Sequence, residues 1–224
     1  MALFVRPHVT RIRPAALLTV LTAACVAIGS LGTGPSLALT NGGSITALDI
    51  ALTENFDSLG AAGASWLDNT TIPGWYSNRT AYVAGTGSSN TGALYSFGVA
   101  GTNAVTDRAL GSVASGGTGT VYQAARLTNS TGATITSLDV SYVGEQWRNG
   151  GNTSANSLTF QYQVAGAGIV TGANLPTTGW TTYAPLSFTG PITGATAAAL
   201  DGNAGPNRTA ISATLTVTVN KVES

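Results

Sequence analysis

Residues 211–219 read Ile-Ser-Ala-Thr-Leu-Thr-Val-Thr-Val, and this stretch decides the fold class. Ile211, Ala213, Leu215, Val217 and Val219 fall on one side of an extended chain. Ser212, Thr214, Thr216 and Thr218 fall on the other. A side-chain period of two marks a strand with one face buried and one wet. The same alternation recurs upstream. Leu138, Val140 and Tyr142 alternate with Asp139 and Ser141, while Leu158, Phe160, Tyr162 and Val164 alternate with Thr159, Gln161 and Gln163. Residues 44–52 and 93–99 are further β-like runs, the second holding Tyr95 and Phe97. Turn signals such as Pro73-Gly74 and the Gly/Ser-rich segment 85–93 separate them. Residues 53–64 read as a loop with one helical turn, and 194–200 is the one segment compatible with a short helix. Short strands with one polar face and glycine-rich turns predict an all-β domain, an antiparallel β-sandwich. No internal repeat or dividing linker interrupts it.

Composition narrows the chemistry. Only 8% of residues are charged, against about 25% in ordinary proteins. Glycine is 29 of 224, roughly twice its usual ~7% share. Low charge with few aromatics would suggest disorder. Here aromatics and Val, Ile and Thr are abundant, which reads as folded β-structure.

The first 38 residues stand apart. Arg6, Arg11 and Arg13 form a positive leader, an apolar run follows from Ala15 to Leu31, and Ser36-Leu37-Ala38 offers small residues where a signal peptidase cuts. This predicts a helical signal peptide over 1–38, cleaved after Ala38, and one module over 39–224. An uncleaved anchor wants about 20 apolar residues, and this run is interrupted by Thr19, Thr22, Gly29 and Ser30. Cys25 lacks typical lipobox spacing, and Arg11 and Arg13 are not adjacent, so twin-arginine export is unsupported. Removal of the leader takes the only histidine, His8, and the only cysteine, Cys25. The mature chain then has no disulfide, no Cys/His zinc site and no imidazole or thiol for nucleophilic catalysis. Six basic residues remain against nine acidic ones, a net charge of −3, with no basic footprint for nucleic acid.

Six phrases occur in order: Glu54-Asn55-Phe56-Asp57-Ser58-Leu59-Gly60, Pro73-Gly74-Trp75, Tyr95-Ser96-Phe97-Gly98, Asp107-Arg108-Ala109-Leu110-Gly111-Ser112, Gly144-Glu145-Gln146-Trp147-Arg148 and Leu200-Asp201-Gly202-Asn203. Together they resemble a secreted bacterial jelly-roll module. That module is found in proteins with PEP-CTERM-type sorting signals and beside extracellular nuclease or lamin-tail domains. The likeness spans about residues 50–215. It implies a jelly roll and an extracellular or cell-surface location more than an activity. The family pattern runs on past the strand equivalent to 211–219, so the module is expected to lack its last strand or strands. A lost strand with about three inward apolar residues forfeits roughly 1.5–3 kcal/mol for each, and leaves an edge open to aggregation.

Two constellations are candidate sites. Glu54 and Asp57 are candidate oxygen ligands for Ca²⁺, a hard cation taking six to eight oxygens; the alternative is a turn capped by Asp57. Gly144-Glu145-Gln146-Trp147-Arg148 follows a strand. Trp147 would stack on a sugar while Glu145 and Arg148 bond hydroxyls, or Trp147 is core and the charges pair or satisfy backbone, with Arg108 and Arg126 as further members of a buried ionic network. Glycosidase chemistry would need Glu145 with Asp139, Asp107 or Asp201.

The expected function is that of an exported, non-catalytic accessory or adhesive module meeting extracellular glycan or matrix. No nucleic acid is expected as a partner, and a membrane only through an uncleaved leader. The alternatives are an inert structural surface domain or fragment of a larger extracellular protein, and an extracellular hydrolase.

Overall fold

The computed structural model describes residues 2–7, 12–15, 18–19, 36–38, 43–99, 107–164 and 178–220, the first four stretches as backbone strands. In chain order the early strands are β1 (Ala2–Pro7), β2 (Ile12–Ala15), β3 (Leu18–Thr19), β4 (Ser36–Ala38), β5 (Ser44–Ile45), β6 (Ala51–Thr53) and β7 (Ala64–Ser65). Next come β8 (Trp75–Ser77), β9 (Ala81–Gly85), β10 (Ala93–Phe97), β11 (Ala109–Val113), β12 (Gln123–Asn129) and β13 (Ile135–Gly150). The last are β14 (Ser157–Leu158), β15 (Gln161–Tyr162), β16 (Thr181–Thr182), β17 (Phe188–Thr189), β18 (Ala197–Ala199) and β19 (Arg208–Val219). The only helical turns among the described residues are two 3₁₀ segments, Ala184–Leu186 and Gly205–Asn207. The protein is all-β.

The alternating stretches form as their spacing requires. In β19, Leu215, Val217 and Val219 are buried and Ile211 and Ala213 half-buried, while Ser212, Thr214, Thr216 and Thr218 are exposed. Leu138, Val140 and Tyr142 are buried along β13. That strand is longer than the alternation of 138–142 suggests, because it runs on through Gly144-Glu145-Gln146-Trp147-Arg148. The run 157–164 is instead broken into β14 and β15, which pair with different partners, β17 and β16. Leu158 and Phe160 are core, but Val164 is exposed.

β13 is the hub of a nine-stranded sheet. One edge pairs antiparallel with β19, from Ile135↔Val219 to Glu145↔Arg208, and then with β18 from Arg148↔Ala199. Its other edge pairs antiparallel with β2 and β1. β1 pairs onward with β11, β11 with β10, β10 with β9 and β9 with β7. A four-stranded sheet gathers β3, β5 and β8 around β12. Pairing is mixed: β9–β10, β5–β12 and β4–β6 are parallel, which corrects the purely antiparallel expectation.

Local expectations are corrected elsewhere too. Residues 197–199 are extended, not helical, because they continue the edge of β13 beyond β19. Residues 53–64 form no helix; Phe56 sits at φ 57, which the tight turn there imposes. The expected signal helix is not what the described parts of the leader form. They are strands, two of them bearing Pro7 and Pro14, and each meets an available strand edge. The rest of the apolar run lies outside the described residues.

Two apolar clusters follow from the pleat. The main one joins Leu94, Leu110, Leu138, Val140 and Tyr142 of the large sheet to Ile45, Trp75 and Ala125 of the smaller one, with Phe160, Leu186 and Phe188. Alternate residues of the same strands build a second cluster: Tyr95, Phe97, Ala109, Val113 and Trp147. Gly144 is required beneath the main cluster, where a Cβ would lie 2.4 Å from the Phe188 ring.

Candidate functional site

The phrases that stand out in the sequence converge in two places. At the first, Asn55 and Asp57 form a local turn. The Asn55 side-chain oxygen accepts from the Asp57 N–H at 3.0 Å, and the Asn55 Nδ2 donates to Asp57 Oδ2 at 2.9 Å. The other Asp57 oxygen, Oδ1, accepts from the Arg108 N–H at 2.8 Å. Arg108 is 3% exposed. Its Nε donates to Ser96 Oγ at 2.9 Å, its Nη2 to the Ser96 carbonyl at 2.6 Å, and Ser96 Oγ donates to the Gly60 carbonyl. A Cβ on Gly98 would sit 2.3 Å from Nη1 of the guanidinium, so a larger residue there would have to displace the Arg108 side chain. Burial pulls the Arg108 pKa below its ordinary value, opposed by the charges of Tyr82 and Asp57. Three distant phrases thus meet through one arginine.

Glu54 lies at the rim of this turn. Its Oε1 accepts from the Phe56 N–H at 2.7 Å. Burial raises its pKa, opposed by backbone hydrogen bonds from Phe56 and Asn55, with the Asp57 charge adding to the rise. The Glu54–Asp57 pair is therefore engaged with backbone and turn donors. Among the described residues no third His, Cys, Asp or Glu joins them in a metal-holding group.

The second place is the distal half of β13. Trp147 is 0% exposed, so no ring face reaches solvent for a sugar. Its Nε1 donates to Glu145 Oε2 at 3.0 Å, two residues along the same strand face. Its ring stacks with Phe97 at 5.7 Å between centroids. Gly202 closes over it, where a Cβ would lie 2.3 Å from Nε1. Glu145, also 0% exposed, is held at the indole rather than beside Arg148. Arg148 points instead to the 86–92 loop, donating to the carbonyls of Gly87 and Ser88 at 3.0 Å each. On the other face, Gln146 bonds both the N–H and the carbonyl of Ile192. Asn149 bonds the carbonyls of Gly194 and Thr196. The phrase ties three loops to one strand. Of the charges expected to share a network with Arg126, Arg108 bonds Ser96, Glu145 bonds the Trp147 indole and Arg148 bonds the 86–92 loop.

The glycosidase pairings fare differently. Asp139 and Glu145 share a strand face six residues apart, a separation of about 20 Å at ~3.3 Å per residue, beyond the ~10 Å upper limit for paired carboxylates. Asp139 Oδ1 instead accepts from Thr214 Oγ1 at 2.5 Å. Asp201 is exposed and caps its own turn through the Asn203 N–H.

Sequence reasoning missed the outer face of β13 and β19. Their register sets Ser137 beside Thr216, Asp139 beside Thr214 and Ser141 beside Ser212. The polar half of each alternation was visible; that the two halves pair into one hydroxyl-rich face was not.

No helix among the described residues is long and apolar enough to cross a membrane. No family model matches the chain, and neither a curated protein nor a solved structure matches it.

Proposed function

We propose that this chain is an exported, non-catalytic β-sandwich module of jelly-roll type, serving as an accessory or adhesive domain at the cell surface or outside the cell. The observation that carries this reading is the use of its few charges. Glu145, Arg148, Asp57 and Arg108 each hold backbone or core groups in place, and such commitments leave little for acid–base work on a substrate. Export rests on the Arg-rich start, the apolar run and Ser36-Leu37-Ala38; the jelly roll rests on the phrase resemblance and on a core placed between the two larger sheets.

The ligand class is extracellular glycan or matrix. Its surface is the hydroxyl face of Ser137, Asp139, Ser212, Thr214 and Thr216, not Trp147. Binding of the secreted protein to a glycan and matrix array tests it. A Thr214→Ala/Thr216→Ala double variant is expected to bind at least tenfold more weakly, and Trp147→Phe to bind as wild type. An array on which the wild-type protein binds nothing would replace this reading with an inert structural domain, which the burial of Trp147 favours. The mass of the secreted protein tests export separately, with an N-terminus at Leu39 expected.

A further inference from the structure

β1 lies between β11 and β13, antiparallel to both, with Val5 opposite Leu110 on one side and Gly144 on the other. The far edge of β11 belongs to β10, and the far edge of β13 to β19 and β18. β1 is therefore the only strand joining β7-β9-β10-β11 to β13-β18-β19 within the described sheet. Cleavage after Ala38 would take it away. Two edges would then face each other about 9.5 Å apart, twice the ordinary strand spacing, too far to bond each other. Both would present unpaired N–H and C=O groups, at a cost unless they are satisfied.

We infer that this position is a strand-acceptor slot, filled in the exported protein by an extended segment of another polypeptide running antiparallel to β11 and β13. The inference rests on leader removal, as proposed above. The walls define the guest. A residue between Leu110 and Gly144 shares their face, toward the main core, and so do the positions opposite Tyr142 and Ser112. The guest needs apolar side chains at these alternate positions. Its intervening residues lie beside Gly111 and Glu145 on the other face. Main-chain hydrogen bonds supply the affinity of such an added strand, and the alternate side chains fix its register. The seating of residues 2–7 shows the backbone of a guest about six residues long.

The test uses the full chain with a protease site inserted between residues 38 and 43, cut after folding. The probe is a synthetic peptide of residues 1–19 carrying a fluorophore. The inference expects the cut leader to co-elute with the body and to exchange with the labelled peptide. The amides of 109–113 and 142–148 that face the slot, and not those bonded to β10, β19 or β18, should be protected from hydrogen exchange only while peptide is bound. A Val5→Pro peptide, which lacks one N–H, should bind at least tenfold more weakly. A leader that leaves while the slot-facing amides of both strands stay protected would overturn the inference, as would equal binding of a scrambled peptide. A doubled native mass with the peptide excluded would overturn it in favour of self-pairing. If the cut protein precipitates, the cut is repeated in excess peptide: solubility then supports the slot, and continued precipitation overturns it. None of these readings depends on whether the cell removes the leader, which the secreted protein's mass decides.

Discussion

Arg108 and Arg148 look alike in the sequence, each inside a recognisable phrase, and the structure separates them. Arg108 is buried and serves both Ser96 Oγ and the Ser96 carbonyl; Arg148 is half-buried and reaches two loop carbonyls. Hydrogen bonds to a charged group are worth about 1.5–3 kcal/mol. Arg108→Ala is therefore expected to cost about 3 kcal/mol, and Arg148→Ala about 1 kcal/mol, because water can replace the exposed partner. At about 2–4 °C per kcal/mol for a domain of this size, thermal melts would separate the two variants clearly. Equal melting of Arg108→Ala and wild type would refute the account. Glu54 gives a second prediction. Its folded pKa is raised chiefly by burial, so its charged form opposes folding above that pKa and the penalty fades as pH falls toward its ordinary value of about 4.3. Glu54→Gln should melt above wild type at neutral pH, with the gap closing on acidification. Millimolar Ca²⁺ should leave the wild-type midpoint unchanged, since both carboxylates already accept donors. That Trp147 would be core was legible in its charge-poor surroundings. Its bond to Glu145 was not, because strand continuation past Tyr142 carries no alternation signal through Gly144-Glu145-Gln146.

At the scale of the element, β19 was legible over 211–219 but not in its first three residues, and 157–164 only partly. In β19, Ile211, Ala213 and Leu215 lie opposite Tyr142, Val140 and Leu138 of one partner, β13. In 157–164 the partner changes between Leu158 and Gln161, and no local pattern encodes a change of partner. The two faces of β19 predict a contrast. Leu215→Ala removes a buried side chain and should cost about 2–5 kcal/mol. Thr216→Ala, next along and exposed, should stay within about 0.5 kcal/mol. Urea unfolding of both variants checks this, with similar slopes expected because the unfolding transition exposes similar area. The 194–200 segment misled for the opposite reason. Its alanines carry helix propensity, but the open edge of β13 at Arg148–Gly150 offers three residues of pairing, and tertiary context overrides so weak a preference.

For the whole molecule, the all-β class was legible from alternation and turns, whereas the order of strands in the sheets was not. Period-two patterning says which face is buried but not which strand lies alongside. The hub role of β13 depends on partners as far apart as Ala2 and Val219, and such pairings leave no trace in local sequence. They do have a kinetic signature. Loop closure over such separations must precede the contacts that reward it, so non-local sheets fold in milliseconds to seconds. Stopped-flow refolding of the full chain, followed by tryptophan fluorescence, should fall at the slow end of that range. A microsecond phase carrying the full amplitude would contradict the topology.

The partnership of β1 with β13 also sets a clock during synthesis. Residue 7 is made almost 140 residues before Glu145. At about 5–20 residues per second, that is a lag of roughly 7–30 seconds in which the leader exists and its place in the sheet does not. A targeting factor that captures the nascent chain within those seconds meets no competition from the fold. One that arrives later must pull a strand out from between two neighbours. If the leader directs export as proposed, translation speed across residues 8–145 would divide the chain between export and retention.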